Sequence, residues 1–250
     1  LDEDPANYTQ MMMNIDPFVT FVNPLNNTKH SLKTRIFRDD YNPNGGDAAY
    51  SNIFYTDYQF QKTWEDINAP FLPFSFTHLV STTGLTRNKI FAHDDDVYGG
   101  KHNVSNYSFY SQTDAKINKK LNLSIGGRYE YFNFDGEVTS VPLIRTGLNY
   151  KLMEGTFLRS SYGSGFRFPS IVERYVTVKS GPVVVYPNPD LQPEGGWSAE
   201  IGIKQGIKID EWKGFIDVAA FVMQYEDMIE FTFGMWDQSN TLGLPIIINA

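Results

Sequence analysis

The 250-residue sequence predicts an all-β chain whose antiparallel strands form part of the wall of a transmembrane β-barrel. Three observations carry this reading: segments in which polar and apolar residues alternate, connections that are by turns short and long, and the lack of a run suited to a membrane helix. The stretch 69–86, which lies within the longest run free of Asp, Glu, Lys and Arg, is rich in Ser, Thr and Pro. A spanning helix needs roughly 20 mostly apolar residues. If this chain meets a bilayer, it does so as strands.

In chain order, 15–22 is a weak first candidate, and 30–38, 51–62 and 106–117 follow period two less cleanly. The stretches 71–84, 156–163 and 214–225 read as strands on β-branched and aromatic content. Alternation is clearest in "LNLSIGGRYEY", where Leu121, Leu123, Ile125, Gly127, Tyr129 and Tyr131 share one face and Asn122, Ser124, Gly126, Arg128 and Glu130 the other. "LIRTGLNYKL" sets Ile144, Leu148 and Tyr150 against Arg145, Asn149 and Lys151, and "WSAEIGIKQ" sets Trp197, Ile201 and Ile203 against Ser198, Glu200 and Lys204. The tail from Leu244 is a second weak candidate. This makes about eleven strands of about ten residues each, enough to cross a hydrocarbon core at the tilt barrels adopt.

The connections at 23–27, 65–69, 118–120, 154–155 and 206–211 are short, those at 39–50, 85–105 and 166–194 are expected to be long loops, and 133–140 is intermediate. An outer-membrane barrel has such an asymmetry because one end faces the periplasm and the other the outside. Tyr and Trp near strand ends suit interfacial girdles, and a polar lumen reconciles membrane residence with a mean hydropathy of -0.35. A soluble β-sandwich with Tyr-rich faces is the alternative reading of the same residues.

A formal charge of -8 without a local Lys/Arg cluster argues against a nucleic-acid partner. With no cysteine there is neither a disulfide framework nor a thiolate metal site. Catalysis has little to stand on. "YGSG" at 162–165 lacks the first glycine of Gly-x-Ser-x-Gly and the carboxylates are scattered, so neither an enzyme nor a cofactor is expected. In "HDDDVYGGKH", His93, Asp94, Asp95, Asp96 and His102 offer ligand types for a divalent cation. The spacing is not that of a calcium loop and consecutive aspartates do not all face one ion, so 93–102 reads as a solvated acidic loop and not as a metal site.

One segment is more specific. "LRSSYGSGFRFPSIVERY" (158–175), followed by "NPDLQPEGGWSAEIGIKQG" (188–206), resembles the TonB-dependent outer-membrane receptors. A strand ending in Arg-x-Pro, a stretch with Glu, a loop, and an Asn-Pro-x-Leu-x-Pro-Glu element opening the next strand correspond to Arg167 with Pro169, to Glu173, and to Asn188, Pro189, Pro193 and Glu194. "GGRYEYF" (126–132), "HSLKTRIFRDD" (30–40) and "GFIDVAAFVMQYEDMIEF" (214–231) are also similar to successive strands of such receptors, particularly those of the Bacteroidetes type.

The resemblance implies a 22-stranded barrel in the outer membrane of a Gram-negative bacterium, plugged by an N-terminal globular domain. Such a barrel imports an iron chelate, haem, cobalamin or an oligosaccharide with energy delivered through TonB. On that reading residues 1–250 are one partial barrel of about 10–11 strands, without an internal domain boundary and truncated at both ends; its partners are outer-membrane lipid, its own plug domain (absent from this sequence), the TonB complex and a small-molecule or oligosaccharide substrate. An odd strand count also points to a piece, since it would leave the first and last strands parallel at closure. Glu130 and Glu200 are the lumen carboxylates that the resemblance pairs with plug arginines. Arg167, Pro169 and Glu173 are read as loop anchors, and Asn188-Pro189 and Gln192-Pro193 as the points where pairing stops and resumes. The alternatives are a barrel with a structural, secretion or passive-pore role, or a soluble carbohydrate-binding β-sandwich.

Overall fold

A computed structural model of the chain describes residues 8–43, 48–68, 75–180, 183–234 and 246–249. The strands are β1 (Tyr8–Ile15), β2 (Phe18–Asn23), β3 (Thr28–Pro43), β4 (Ala49–Asn68), β5 (Ser75–Asp94), β6 (Gly100–Ile117), β7 (Leu121–Phe134), β8 (Glu137–Met153) and β9 (Thr156–Arg167). After them come helix α1 (Ile171–Tyr175) and strands β10 (Val178–Ser180), β11 (Val183–Tyr186), β12 (Glu194–Ile209), β13 (Trp212–Glu226), β14 (Phe231–Gly234) and β15 (Ile246–Asn249). One sheet runs in the order β1-β3-β4-β5-β6-β7-β8-β9-β12-β13, with β2 also on β3 and every neighbouring pair antiparallel.

β1 and β2 are two pieces of one stave. Ile15 faces Ile36 and Phe18 faces Lys33, so the register passes unbroken through Asp16-Pro17. Pro17 has no N–H to donate, but its carbonyl accepts from the Thr34 amide at 3.0 Å and keeps the ladder going. Asp16, opposite Arg35, receives its Nε and Nη2 at 2.8 and 2.9 Å. The wall therefore has ten staves, and the parity argument for a missing piece falls away. What shows the sheet to be open is its edges: among the described residues β13 does not pair with β1.

The staves are longer than the expected ten residues, since β4 and β5 have 20 each. The expected loops 39–50, 85–105 and 133–140 are mostly strand: β5 continues to Asp94 and β6 begins at Gly100, while Asp135–Gly136 alone joins β7 to β8. Polar, β-branched stretches outside the membrane still pair, because pairing satisfies their backbone groups whatever the solvent. Of the long loops only 168–193 remains one, and it contains α1, β10 and β11. The other end keeps tight turns at 118–120, 154–155 and 210–211. The expected turn at 65–69 is strand as far as it is described, since β4 continues to Asn68 and pairs there with β5; the strand expected at 71–84 and the tail strand expected from Leu244 both begin outside the described residues. Its remainder, β15, lies beside β11 and β14 in a separate four-stranded sheet, not in the wall.

Side chains alternate as the sequence requires. On β5, Gly84 and Thr86 are buried on the concave face while Leu85 is 57% exposed on the convex one. Register carries that parity around the wall. Arg128, Glu130, Arg145, Arg159, Glu200 and Lys204 fall on the concave, polar face, and Leu123, Ile125, Ile144, Leu148, Ile201 and Ile203 on the convex, apolar one. Convex aromatics form two levels. Toward the loop end Tyr107 meets Tyr131 at 6.3 Å and Tyr162 stacks on Trp197 at 6.1 Å. Toward the turn end His30, Phe60 and Trp64 mark the other level, with His30 and Phe60 5.0 Å apart.

The face assignment predicts opposite responses from two adjacent residues. In full-length protein refolded into lipid vesicles, Ile125→Arg should lower the folding free energy at least twice as much as Ser124→Arg, because a cation on the lipid face is penalised and one on the lumen face is not. Equal losses in urea titrations would invert or abolish the assignment.

Candidate functional site: the polar barrel face and the hinge of its longest loop

The concave face is organised by ion pairs that stay within the sheet. Arg128 donates its Nε to Glu130 Oε1 and its Nη2 to Thr86 Oγ1 at 3.2 Å. Glu130, 8% exposed, accepts at its other oxygen from Asn106 Nδ2 at 2.8 Å. Next to them Tyr110 donates to Asp57 at 3.1 Å, and its ring lies flat across Gly84, where a Cβ would come within 2.3 Å of the ring. Only glycine leaves that space. Further round, Arg159 joins Glu200 at 3.0 Å and Asp217 at 2.8 Å. Glu200 borders a trough of about 470 Å3 lined by His78, Asp114, Lys116, Asn122 and Asn149. The two predicted carboxylates thus differ: both Glu130 oxygens are taken, whereas Glu200 stands 39% exposed over open space.

The motif residues converge at the loop end. Arg167, the last residue of β9, donates its Nε to Glu194 at 2.6 Å and its Nη1 to both oxygens of Glu173 at 2.7 and 2.8 Å. Glu194, first of β12 and opposite Arg167 in register, also accepts the Ile229 amide at 2.6 Å. Glu173 closes a capping box. Its carboxylate takes the Ser170 amide at 2.7 Å, and Ser170 Oγ accepts the Glu173 amide at 3.2 Å. Pro169 is buried just before this helix start. Asn188 Oδ1 accepts the Asp190 amide at 3.2 Å, Leu191 is buried, and Pro193 leads straight into β12. Burial raises the Glu173 carboxyl, but the Ser170 backbone and the Arg167 guanidinium together offset this and hold it below the usual glutamate range.

Arg174 is the residue that sequence reasoning passed over. It is 3% exposed, bonds Glu137 at 2.7 Å and the Pro189 carbonyl, and lies over the Phe134 ring at 4.8 Å. Its Nε and Nη1 lack hydrogen-bond partners, and the faces of Phe134, Phe168 and Tyr175 take their place. This clamps the loop onto the β7–β8 turn. A usable signal was present: Ser170-Ile-Val-Glu173 is a capping-box sequence that places Arg174 in a helical turn.

The acidic stretch 93–102 is used for turn geometry. Asp94 Oδ1 accepts the amides of Asp96 and Val97 at 3.0 and 2.8 Å, and His93 lies 3.8 Å from Asp95. His102 contacts Asp135 at 2.7 Å and the Tyr98 carbonyl at 2.9 Å and stacks on Tyr175 at 3.8 Å. Among the described residues no three His, Asp or Glu side chains are grouped to hold a metal ion.

The hinge is expected to respond to acid. Because Glu173 titrates below its ordinary range in the folded loop, its contribution is fully present above that range and is lost as the pH falls through the depressed value. Protease cleavage of loop 168–193 should accelerate over that window in the wild type, whereas Glu173→Gln should already be fast and respond less steeply to pH, retaining only the Arg167–Glu194 pair. Arg167→Ala should open the hinge by about 1–2 kcal/mol, modest because the pair is partly exposed. A wild-type cleavage rate unchanged by pH would remove this role.

Comparison with known proteins agrees with this architecture. A family model described as "TonB dependent receptor-like, beta-barrel" matches residues 7–243. Haemoglobin-binding protein A of Haemophilus influenzae is 34% identical over 76 residues, which is 30% of this chain and 7% of that protein. The Serratia marcescens hemophore receptor HasR, solved with its hemophore and heme, superposes with a TM-score of 0.68 at 17% identity, covering 97% of this chain and 44% of the receptor. The Pseudomonas aeruginosa siderophore receptor PirA gives 0.71 at 15% identity, with 97% and 45% covered. The chain spans less than half the length of these solved receptors. It belongs to the TonB-dependent receptors, whose β-barrels stand in the outer membrane of Gram-negative bacteria, and forms part of the barrel wall.

Proposed function

We propose that the protein to which this wall belongs is an active importer of a scarce nutrient, energised through TonB and plugged by an N-terminal domain outside this sequence. Residues 1–250 are then one partial barrel with no internal boundary. The observation that carries the reading is the concave face. Arg128–Glu130 and Arg159–Glu200 keep the wall's charges matched while a trough beside Glu200 leaves room for a second body. A passive pore has no need of a wall built to receive a plug.

Glu200 is the better plug contact, since its exposed carboxylate can accept a plug arginine without losing Arg159, whereas Glu130 would have to exchange a partner. A carboxylate partly offset by an in-sheet cation holds such an arginine reversibly, which suits a plug released under force. Arg167, Glu173 and Glu194 set the height and angle of the outward loop that meets the cargo. Iron-bearing cargo, haem or a ferric chelate, is the favoured class, because the names of the related proteins refer to haemoglobin, heme and siderophore. Sugar or cobalamin cargo has no such support.

Growth on single iron sources tests this. Cells carrying the full-length gene should grow on haem or a ferric chelate in iron-depleted medium, and deleting TonB should abolish that growth. Growth that persists without TonB would make the protein a passive pore. Glu200→Ala should loosen the plug and raise susceptibility to large antibiotics several-fold. An unchanged susceptibility would return Glu200 to an ordinary lumen charge.

A further inference from the structure

The wall is not paired evenly. β7 pairs with β8 out to Phe134 and Glu137, and β9 with β12 out to Arg167 and Glu194, yet the pairing of β8 with β9 stops at Arg145 and Gly163. Residues 137–144 of β8 and 164–167 of β9 therefore form no ladder with one another, which leaves a slot between two strands that are each paired on their other side. Pro142 explains it. The Ile144 amide points toward β9, where it donates to Ser164 Oγ at 2.8 Å in place of a strand partner. Amides two residues apart along a strand point the same way, so the donor that Pro142 lacks is missing from that same edge. Past this point β9 leans in over β8: the Phe166 ring lies 5.8 Å from Phe132, which is on β7, and Phe168 stacks on the same ring at 5.1 Å.

The foot of the slot joins two unlike environments. On the lumen side stands Arg145. Arg35, Arg128, Arg159 and Arg167 of the concave face each hold a carboxylate, at Asp16, Glu130, Glu200 and Glu173, whereas Arg145 forms no ion pair or hydrogen bond among the described residues. It borders a cavity of about 590 Å3 shared with Gly163, Gly165 and Trp197, and a second of about 270 Å3 that Leu143, Ile144 and Ser164 also line. Neither glycine has an atom within 4 Å of the place a Cβ would take, so the wall beside Arg145 is clear. On the lipid side are Ile144, 54% exposed, and the Tyr162–Trp197 stack of the loop-end aromatic level, with Ser164 opposite Trp197 in register.

We propose that the slot takes the hydrocarbon tail of an amphiphilic anionic chelate, whose charged head rests on Arg145. The proposal rests on the import reading and narrows its cargo. A guanidinium left unpaired in the lumen selects an anion. Pro142, Leu143 and Ile144 give a tail apolar contact and, at Pro142, an edge with no donor left unsatisfied. Depth favours a tail over a peptide strand: aromatic belts mark the boundary between hydrocarbon and headgroups, so a tail threaded outward at the foot of the slot enters the acyl layer. A chelate without a tail would engage Arg145 alone.

Full-length receptor in lipid nanodiscs tests this, titrated with a ferric citrate-dihydroxamate chelate that bears either a dodecanoyl chain or an acetyl group; empty nanodiscs give the lipid background. The acylated form is expected to bind about ten-fold more tightly or better, since each methylene removed from water contributes roughly a factor of four. Oxidising the double variant Ile144→Cys and Ser164→Cys closes the slot and should bring the acylated form down to the affinity of the acetylated one, and reduction should restore the difference. Arg145→Gln should weaken both forms by about ten-fold, as the loss of a charged hydrogen bond does. A diazirine midway along the tail should crosslink on illumination to residues 142–144 or 164–166. Equal affinity for the two forms, a difference that survives the closed slot, or crosslinks confined to other strands would overturn the proposal. If the cysteine pair prevents folding, the crosslinks in the wild type decide alone. Binding of neither form would overturn it too, while TonB-dependent growth on haem would still uphold import, so the two readings fail separately.

Discussion

Every backbone N–H and C=O that crosses the hydrocarbon layer must find a partner on a neighbouring strand, because lipid offers none. The ladder from β1 through β13 is the direct result. It explains why β1 and β2 keep a single register across Pro17, where the carbonyl still accepts from Thr34 although the donor is missing. Among the described residues the outer edges of the first stave and of β13 have no strand partner, which leaves the sheet open. Once pairing is compulsory, the period-two alternation decides which residues meet lipid and which meet the lumen.

Within that frame the charged residues do two kinds of work. On the concave face Arg128 neutralises Glu130 on its own strand, and Arg159 neutralises Glu200 and Asp217 on β12 and β13. At the loop end the guanidinium of Arg167 fastens two segments far apart in sequence, Glu173 on the helix and Glu194 on the returning strand. Arg174, four-sided by aromatic rings, a carboxylate and a carbonyl, holds the same loop from beneath. Both arginines lie within eight residues, and their opposite surroundings give them different tasks.

Much of this was legible in the sequence because parity is local. The faces of β7, β8 and β12 follow from reading "LNLSIGGRYEY", "LIRTGLNYKL" and "WSAEIGIKQ" two residues at a time, and the motif around Arg167 and Glu194 pointed to the receptor family. Strand ends were misread, because polar stretches such as 85–94 and 100–105 resemble loops in composition yet continue to pair above the membrane. The slot beside Arg145 was invisible for a different reason: Pro142 stands in the sequence, but only the pairing shows which edge of β8 lost its donor. In-sheet partners of Glu130 and Glu200 likewise depend on which strands adjoin. The burial of Arg174 depends on a loop folding back over Phe134, which no short window of sequence specifies.

The carboxylate of Glu194 is shared between the Arg167 guanidinium and the amide of Ile229, in the segment that leaves β13. The same two outward segments meet again where β11 pairs with β15. Tied at the rim and again in the small sheet, they form a two-point coupling, so that torque on one is transmitted to the other. A force applied to either segment is therefore shared by both.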